Sequence, residues 1–421
     1  MGVQGINNRF LTPDEIAKEA LRRLKNNLVL ARLVYRGYEK EFKIRKIGDT
    51  IQIKKPFKVK STEGRTLGKQ PMVDETTSIK IDRQRNIGLE ATSMDYTLAI
   101  EDFGERYLNS AIQELASQVD LSIAEALRKG GFYGSNAPGS AVNINAFLTA
   151  RASQNKVAVP NDKLRRAIIN SDDAANISKD IINKFNEDFV KKGITEGYMG
   201  KVAGYDLFET QSAMPHEVGD YAGTPVVNGS PQNGDVLQTS GWAANAELKE
   251  GDVFTIDGVY SVNPVTRKST GQLMRFVVTE DVTADGSGNM DIPISPAIND
   301  GSVTVQDSEG NSVSAGAYQN ISNPVPDGAG ITVIGDANKI YNMNYLFHRD
   351  AVALVMCELE LPRGAVVKAR ARDPQTGLTI MLVEDYDITE QKEITRLDIV
   401  WGVKAIYPEL IHKMYSEEVN N

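Results

Sequence analysis

Two periodicities divide the chain. From Thr12, Pro13, Asp14 and Glu15, which read as an N-cap, a first-turn proline and a capping-box glutamate, apolar residues recur at Ile16, Ala20, Leu24, Leu28 and Ala31. This spacing predicts an amphipathic helix to about Leu33. Alternation replaces it from Asp49. Ile51, Ile53 and Lys55 face one way while Gln52, Lys54 and Pro56 face the other, and residues 78–83 alternate again. The two runs predict a long hairpin whose connection, 61–75, is too polar to bury and too long for a tight turn.

The strongest helical stripe is Leu108, Ile112, Leu115, Val119, Ile123 and Leu127, within 101–129, with Gly130 and Gly131 behind it. At ~1.5 Å per residue that helix is roughly 43 Å long. A glycine- and asparagine-rich loop follows over 134–145. Residues 163–170 read as a strand that leads through Ser171, Asp172 and Asp173 into a short helix. Ile181, Phe185 and Phe189 continue that helical spacing to a stop at Lys192 and Gly193.

Residues 227–340 differ in kind. Short strands at 252–256, 273–279, 290–294, 302–305 and 330–334 are broken by turns such as Asp285-Gly286 and Glu309-Gly310-Asn311, which predicts a β-sandwich or a small barrel. Beyond 340 mixed character returns, with a helix predicted at 350–357 and strands at 365–372, 378–385 and 394–404. The chain leaves one fold, builds another and comes back.

Charge sharpens this division. The chain of 421 residues carries a net charge of -9, and 227–340 holds 14 acidic and 5 basic residues, so this segment accounts for the whole imbalance. The span 40–90 carries 13 basic and 7 acidic residues, giving the hairpin arm a positive excess. With 41% hydrophobic residues and this length, two or three domains with buried cores are expected, and the single cysteine, Cys357, excludes an internal disulfide framework. No apolar run approaches the ~18 residues of a membrane helix. The N-terminus lacks the basic-then-apolar order of a secretory signal, so the protein is expected to stay where it is made.

Catalytic chemistry is not visible. His216, His348 and His412 stand more than 60 residues apart with no second ligand at metal spacing, and each reads as structural. Neither GxSxG, HExxH nor a phosphate-binding GxxxxGK(S/T) loop occurs. Asp281, Asp285, Asp291 and Asp300 lack the fixed spacing of a calcium loop and read as surface acids. Cys357 reads as a small hydrophobe. The basic arm includes only two aromatics, Phe42 and Phe57, so sequence-specific nucleic-acid reading is not expected.

Two stretches carry a resemblance. GKVAGYDLFE at 200–209, with Met214-Pro215 after it, and NYLFHRDAVA at 344–353, then Leu361-Pro362, Gly364, Gly377-Leu378, Asp385-Tyr386-Asp387, LDIVWGV at 397–403 and Pro408-Glu409, resemble the major capsid proteins of tailed double-stranded DNA bacteriophages. The chain is most similar to the short-tailed phage coat proteins that carry an inserted immunoglobulin- or telokin-like domain.

The resemblance implies an α+β tailed-phage capsid fold. Residues 1–35 would be an N-terminal arm, and 36–133 a peripheral domain with an extended loop at about 48–88 and a spine helix at about 101–131. An axial domain would occupy 134–226 and 341–421, returning to the peripheral domain, with the all-β insertion at 227–340 between them. The implied function is a shell subunit, not an enzyme and without cofactor or metal, that forms the hexamers and pentamers of an icosahedral head around double-stranded DNA. Its implied partners are copies of itself, a separate scaffolding protein, a portal protein, a possible decoration protein and DNA held non-specifically, with no membrane. The implied location is the virion, with assembly in the host cytoplasm.

Lys54, Lys55, Lys58, Lys60, Arg65 and Lys69 of the loop are the candidate inter-subunit contacts, without a covalent lysine crosslink at Lys60 or Lys69. Asp281, Asp285, Asp291 and Asp300 are candidates for salt bridges between capsomers. Gly130 and Gly131 are either a hinge or a simple helix stop. An encapsulin-like compartment shell is the alternative, and a surface carbohydrate-binding or adhesin module a more distant one.

Overall fold

The computed structural model describes residues 13–38, 50–56, 58–59, 61, 63–65, 76–92, 103–184, 200–210, 215–306, 312–314, 316–365, 367–372, 378–390 and 392–419. Among these, the helices are α1 (Pro13–Asn27), α2 (Phe103–Gly130), α3 (Ile144–Lys156) and α4 (Ser171–Lys184). The strands run from β1 (Thr50–Lys54), β2 (Thr76–Lys80), β3 (Arg83–Thr92) and β4 (Tyr133–Ser135) to β5 (Arg165–Ile169), β6 (Lys201–Val202), β7 (Tyr205–Glu209) and β8 (His216–Glu217). They continue through β9 (Gly223–Val227), β10 (Gly234–Trp242), β11 (Glu247–Leu248), β12 (Val253–Val262), β13 (Ser269–Val278), β14 (Val282–Thr283), β15 (Met290–Ile298), β16 (Thr304–Gln306), β17 (Ser312–Ser314) and β18 (Ile331–Val333). The last are β19 (Ile340–His348), β20 (Val352–Met356), β21 (Val367–Arg372), β22 (Thr379–Asp387), β23 (Lys392–Ala405) and β24 (Ile411–Glu418). β1 and β2 pair as the root of the predicted hairpin. Thr12 and the positions 185–193 of the predicted helix continuation lie outside the described residues.

Contacts divide the chain into two compact units. The first comprises residues 1–51, 78–123 and 353–404. Its sheet runs β20–β23–β22–β21, with β3 paired along β23 from Arg83 opposite Trp401 to Thr92 opposite Lys392. Helix α1 packs on β21 and β22, burying Ala20 and Leu24 at the predicted helical steps and Ala17 and Leu21 beside them. The spine helix α2 buries Ile112, Leu115, Val119 and Ile123 here. Trp401 donates its indole N–H to Ser122 Oγ at 2.9 Å, so the polar edge of a large buried ring is satisfied.

The helix predicted at 350–357 is not formed. A 3-10 turn at Arg349–Ala351 leads instead into strand β20, in which all five residues are buried. A short run buried on every side shows neither period, and β-branched Val352 and Val355 fit the strand.

The second unit comprises residues 52–77, 124–352 and 405–421. It contains a mixed sheet ordered β4–β24–β19–β5–β7–β6, with β8 also on β19. Helices α3 and α4 belong to its core with Phe147, Ile177, Tyr205, Leu207, Leu346 and Met414. Helix α3 was not foreseen; Asn143 caps it by accepting the Ala146 N–H at 3.0 Å.

The β-rich segment forms a separate sheet in the order β18–β12–β13–β15–β10–β9. Its first and last strands then meet: Val226 bridges Gly330, Val227 N–H donates to Ala329 O at 2.9 Å and Gly328 N–H to Val227 O at 3.0 Å. The result is a closed six-stranded barrel, the second of the two forms predicted. An immunoglobulin-like insertion would be two sheets face to face; here one hydrogen-bonded path curls on itself. Register shifts within β10 and β12 supply the bending. Gly241 and Gly258 provide φ of +83° and +77° in those strands. Phe254 and Phe276, with ring centroids 5.8 Å apart, lie in its core.

Candidate assembly surface and buried polar hub

Loop residues near the arm's root lie against the second unit's own surface. Lys55 stands over the Tyr407 ring at 5.7 Å and Lys58 over the Tyr318 ring at 5.6 Å. The Lys58 N–H donates to Tyr318 Oη at 3.3 Å, and Arg267 Nη2 to Val59 O at 3.5 Å. These contacts border a cavity of about 380 Å³ whose lining includes Phe132, Met274, Val262 and Pro408. Lys54 and Arg65 are exposed. Lys60 and Lys69 lie outside the described residues.

The four aspartates differ in their work. Asp285 Oδ1 accepts the N–H groups of Ser287 and Asn289, both at 2.8 Å, and these bonds hold its carboxyl below the usual range. Asp300 Oδ1 accepts the Ser302 N–H at 2.9 Å and its hydroxyl at 2.5 Å. Asp281 accepts the Glu250 N–H at 2.7 Å. Asp291 lies exposed on β15, opposite Gln238. Three of the four therefore shape local turns and connections.

Gly130 and Gly131 are required by close packing. A Cβ at Gly130 would stand 2.6 Å from Ala405 Cβ, and one at Gly131 2.6 Å from Ile411 Cγ2.

Large apolar side chains are also left exposed. Ile388, 82% exposed, sits in the β22–β23 turn with Tyr386 and Ile394 on the adjoining strands; Val265 is 75% and Val59 63% exposed. None of these was singled out by pattern, because an isolated apolar residue in a turn has no period.

A buried hub gathers the C-terminal end of α2, β8, the 249–252 loop and β24. His216 Nε2–H donates to Asp252 Oδ1 at 2.8 Å, and Arg128 Nη1 lies 3.4 Å from His216 Nδ1 and 3.0 Å from Glu250 O. With Nδ1 facing a guanidinium, the neutral tautomer protonated at Nε2 fits, and burial lowers the His216 pKa despite Asp252. Asp252 Oδ2 accepts the N–H groups of Lys249 at 2.8 Å and Gly219 at 3.1 Å. Lys129 pairs with Glu250 at 2.8 Å and Glu125 at 3.0 Å. Lys413, 1% exposed, donates to Gly251 O at 3.1 Å; burial first and Arg128 second pull its pKa down to about 7. His412 is pulled down to about 3 by burial and Arg275. Sequence reasoning missed this hub, whose members span residues 125–413 and form no motif. Among the described residues no group of three His, Cys, Asp or Glu side chains could hold a metal ion, and no helix is long and apolar enough to cross a membrane.

A long helix, a two-stranded hairpin root, a mixed sheet and a separate β-rich barrel make up an α+β fold of the tailed-phage capsid kind. The chain belongs to the P22 coat protein family, described as "P22 coat protein - gene protein 5", which matches residues 14–414. It is a major capsid protein of phage heads. Among curated protein sequences none matches the chain.

Similar solved structures include one from Mycobacterium phage Che8, at 13% identity and a TM-score of 0.47, covering 92% of this chain and 90% of that one. The capsid structure of cyanophage P-SCSP1u is similar at 12% identity and a TM-score of 0.42, covering 88% and 84%. A virus-like particle from Pyrococcus furiosus is similar at 8% identity and a TM-score of 0.38, covering 95% and 97%.

Proposed function

We propose that this capsid protein assembles as hexamers and pentamers into a closed icosahedral head around double-stranded DNA. In this reading a separate scaffolding protein guides the shell, a portal protein occupies one vertex, and assembly takes place in the host cytoplasm. The axial domain takes 134–226 and 341–421, the latter returning through 353–404 to the peripheral domain of 36–133, and the barrel is an insertion at 227–340.

The observation that supports this reading best is the set of exposed apolar side chains, Val59, Val265 and Ile388, on a chain of the coat-protein family. Burying such residues against symmetry-related copies supplies association energy, and many modest contacts per subunit make the closed shell persistent. Of the loop residues, Lys54, Lys60, Arg65 and Lys69 reach neighbours, while Lys55 and Lys58 stay on Tyr407 and Tyr318 of their own subunit. Asp291, free of turn-building bonds to backbone N–H groups, is the best of the four acids for a contact between capsomers. The net charge of -9 suits a container wall, since dense positive charge would bind phosphates tightly and oppose packing.

The test is deletion of residues 61–75, followed by co-expression with a candidate scaffold and negative-stain microscopy. A soluble, folded subunit that forms no shells is the expected result. Closed particles of normal size would remove the loop from the mechanism, and particles filled with a cargo enzyme rather than DNA would favour the compartment-shell alternative.

A further inference from the structure

Hydrogen-bond accounting around Lys413 leaves donors in excess. In the β19–β24 ladder Lys413 is paired with Tyr345, and Met343 with Tyr415. Directly paired residues share a face, as do residues two apart, so Lys413, Tyr345 and Tyr415 project to the same side of the sheet. All three are essentially fully buried. Among the described residues the hydroxyls of Tyr345 and Tyr415 and Nε of Arg128 have no hydrogen-bond partner. The ammonium of Lys413 brings up to three N–H bonds and meets Gly251 O.

Acceptors nearby are already used. Asp252 serves His216, Lys249 and Gly219 through its two oxygens, and the Glu250 carboxylate is held by Lys129. The same region contains Arg128, which acts electrostatically on both Lys413 and Tyr345, and Arg275, which acts on Tyr415. The Arg275 guanidinium reaches β4 beside Lys413: a Cβ on Gly134 would stand 2.3 Å from its Nη1, and Gly134 is the register partner of Lys413. Arg128, Arg275 and Lys413 thus gather around these two hydroxyls, in surroundings where an uncompensated charge is costly.

We infer that the Lys413, Tyr345 and Tyr415 face of this ladder, closed by Arg128, is a binding site for a small monovalent anion of halide size. The ammonium supplies charge and two phenolic hydroxyls with Arg128 Nε–H supply directed donors, a set that a spherical anion satisfies and a cation or an apolar group does not. Burial favours a neutral Lys413 when the site is empty, so the anion and the lysine's proton bind together. Occupancy would tie β24 and β19 to the end of α2.

The experiment uses the full chain, with chloride replaced by methanesulfonate at constant ionic strength. Chloride at saturation is expected to raise the thermal midpoint by roughly 2 °C. In a bromide-soaked crystal, one anomalous peak is expected within about 3.5 Å of Lys413 Nζ. Lys413→Met, and separately the shape-preserving pair Tyr345→Phe with Tyr415→Phe, should abolish the chloride-dependent shift. The phenylalanine pair keeps the test decisive if Lys413→Met does not fold. An anion-independent midpoint, a shift retained in the phenylalanine pair, or a water molecule in place of the bromide peak would overturn the assignment.

Discussion

Asp120, on the spine helix, takes the backbone N–H of Val29 at 2.8 Å. The same carboxylate accepts the Ala31 N–H at 3.0 Å, so one buried acid satisfies the entry of the 3-10 turn Leu30–Arg32. Asp120→Ala leaves these donors unsatisfied and should cost about 1–3 kcal/mol in urea unfolding, with faster proteolysis near residue 29. Burial, the largest influence, raises the Asp120 pKa above 3.8, against the pull of those N–H groups. A raised acid contributes stability that is full below 3.8 and is lost as pH climbs through the folded value. Asp120→Asn should remove that slope; an unchanged acid-range profile would contradict it.

Lys413 gives the opposite sign. Its pKa falls from 10.5 to about 7 on folding, so between these values the unfolded chain holds more protons than the folded one. Stability should therefore rise with pH across this window, by about 1.4 kcal/mol per unit at most, and be flat below about 7. In chloride-free buffer, denaturant titrations at pH 7 and 10 should show this rise in the native protein and lose it in Lys413→Met.

Gly131→Ala places a methyl group 2.6 Å from Ile411 Cγ2 and 3.3 Å from Leu127 O. Overpacking of this kind should cost about 1–3 kcal/mol, and Ile411→Leu in the same chain, which removes the β-branch methyl Cγ2, should restore part of it. Partial rescue marks a packing glycine. A hinge predicts instead that Gly131→Ala leaves stability unchanged while slowing shell maturation.

Ile388 tests the exposed apolar set. Ile388→Asp should change subunit stability by no more than about 0.5 kcal/mol while slowing shell formation, followed by light scattering. Normal assembly kinetics would exclude this turn from inter-subunit contact.

Two aspartates separate turn-building from contact. Asp285→Ala should lower the barrel's melting temperature because three hydrogen bonds to Ser287 and Asn289 are lost. Its lowered pKa places that contribution above 3.8, to be lost as pH falls through the folded value. Asp291→Lys should leave melting unaltered and change only particle size or assembly rate.

Elements with a dominant period were legible in the sequence. The stripe from Ile112 to Leu127 forms one buried helix face, and the strands expected at 378–385 and 394–404 form β22 and β23. Strand β24 was not legible. His412, Lys413 and Ser416 are polar yet buried, on a strand that is covered on both faces, so alternation is erased. Helix α3 escaped notice because its small and polar residues, such as Ala150, Ser153 and Gln154, make a buried face without a hydrophobic stripe. The polar hub depends on residues brought together by tertiary structure from four separate segments. Local composition indicated the β-rich segment, but only the pairing of Val226 with Gly330 decided between two sheets and a barrel.

That closure bears on behaviour before assembly. An open sheet at the surface would present unpaired N–H and C=O groups to other chains. Joining β9 to β18 occupies those groups within the subunit, which removes a template for amyloid-like stacking while leaving outward side chains free to choose specific neighbours.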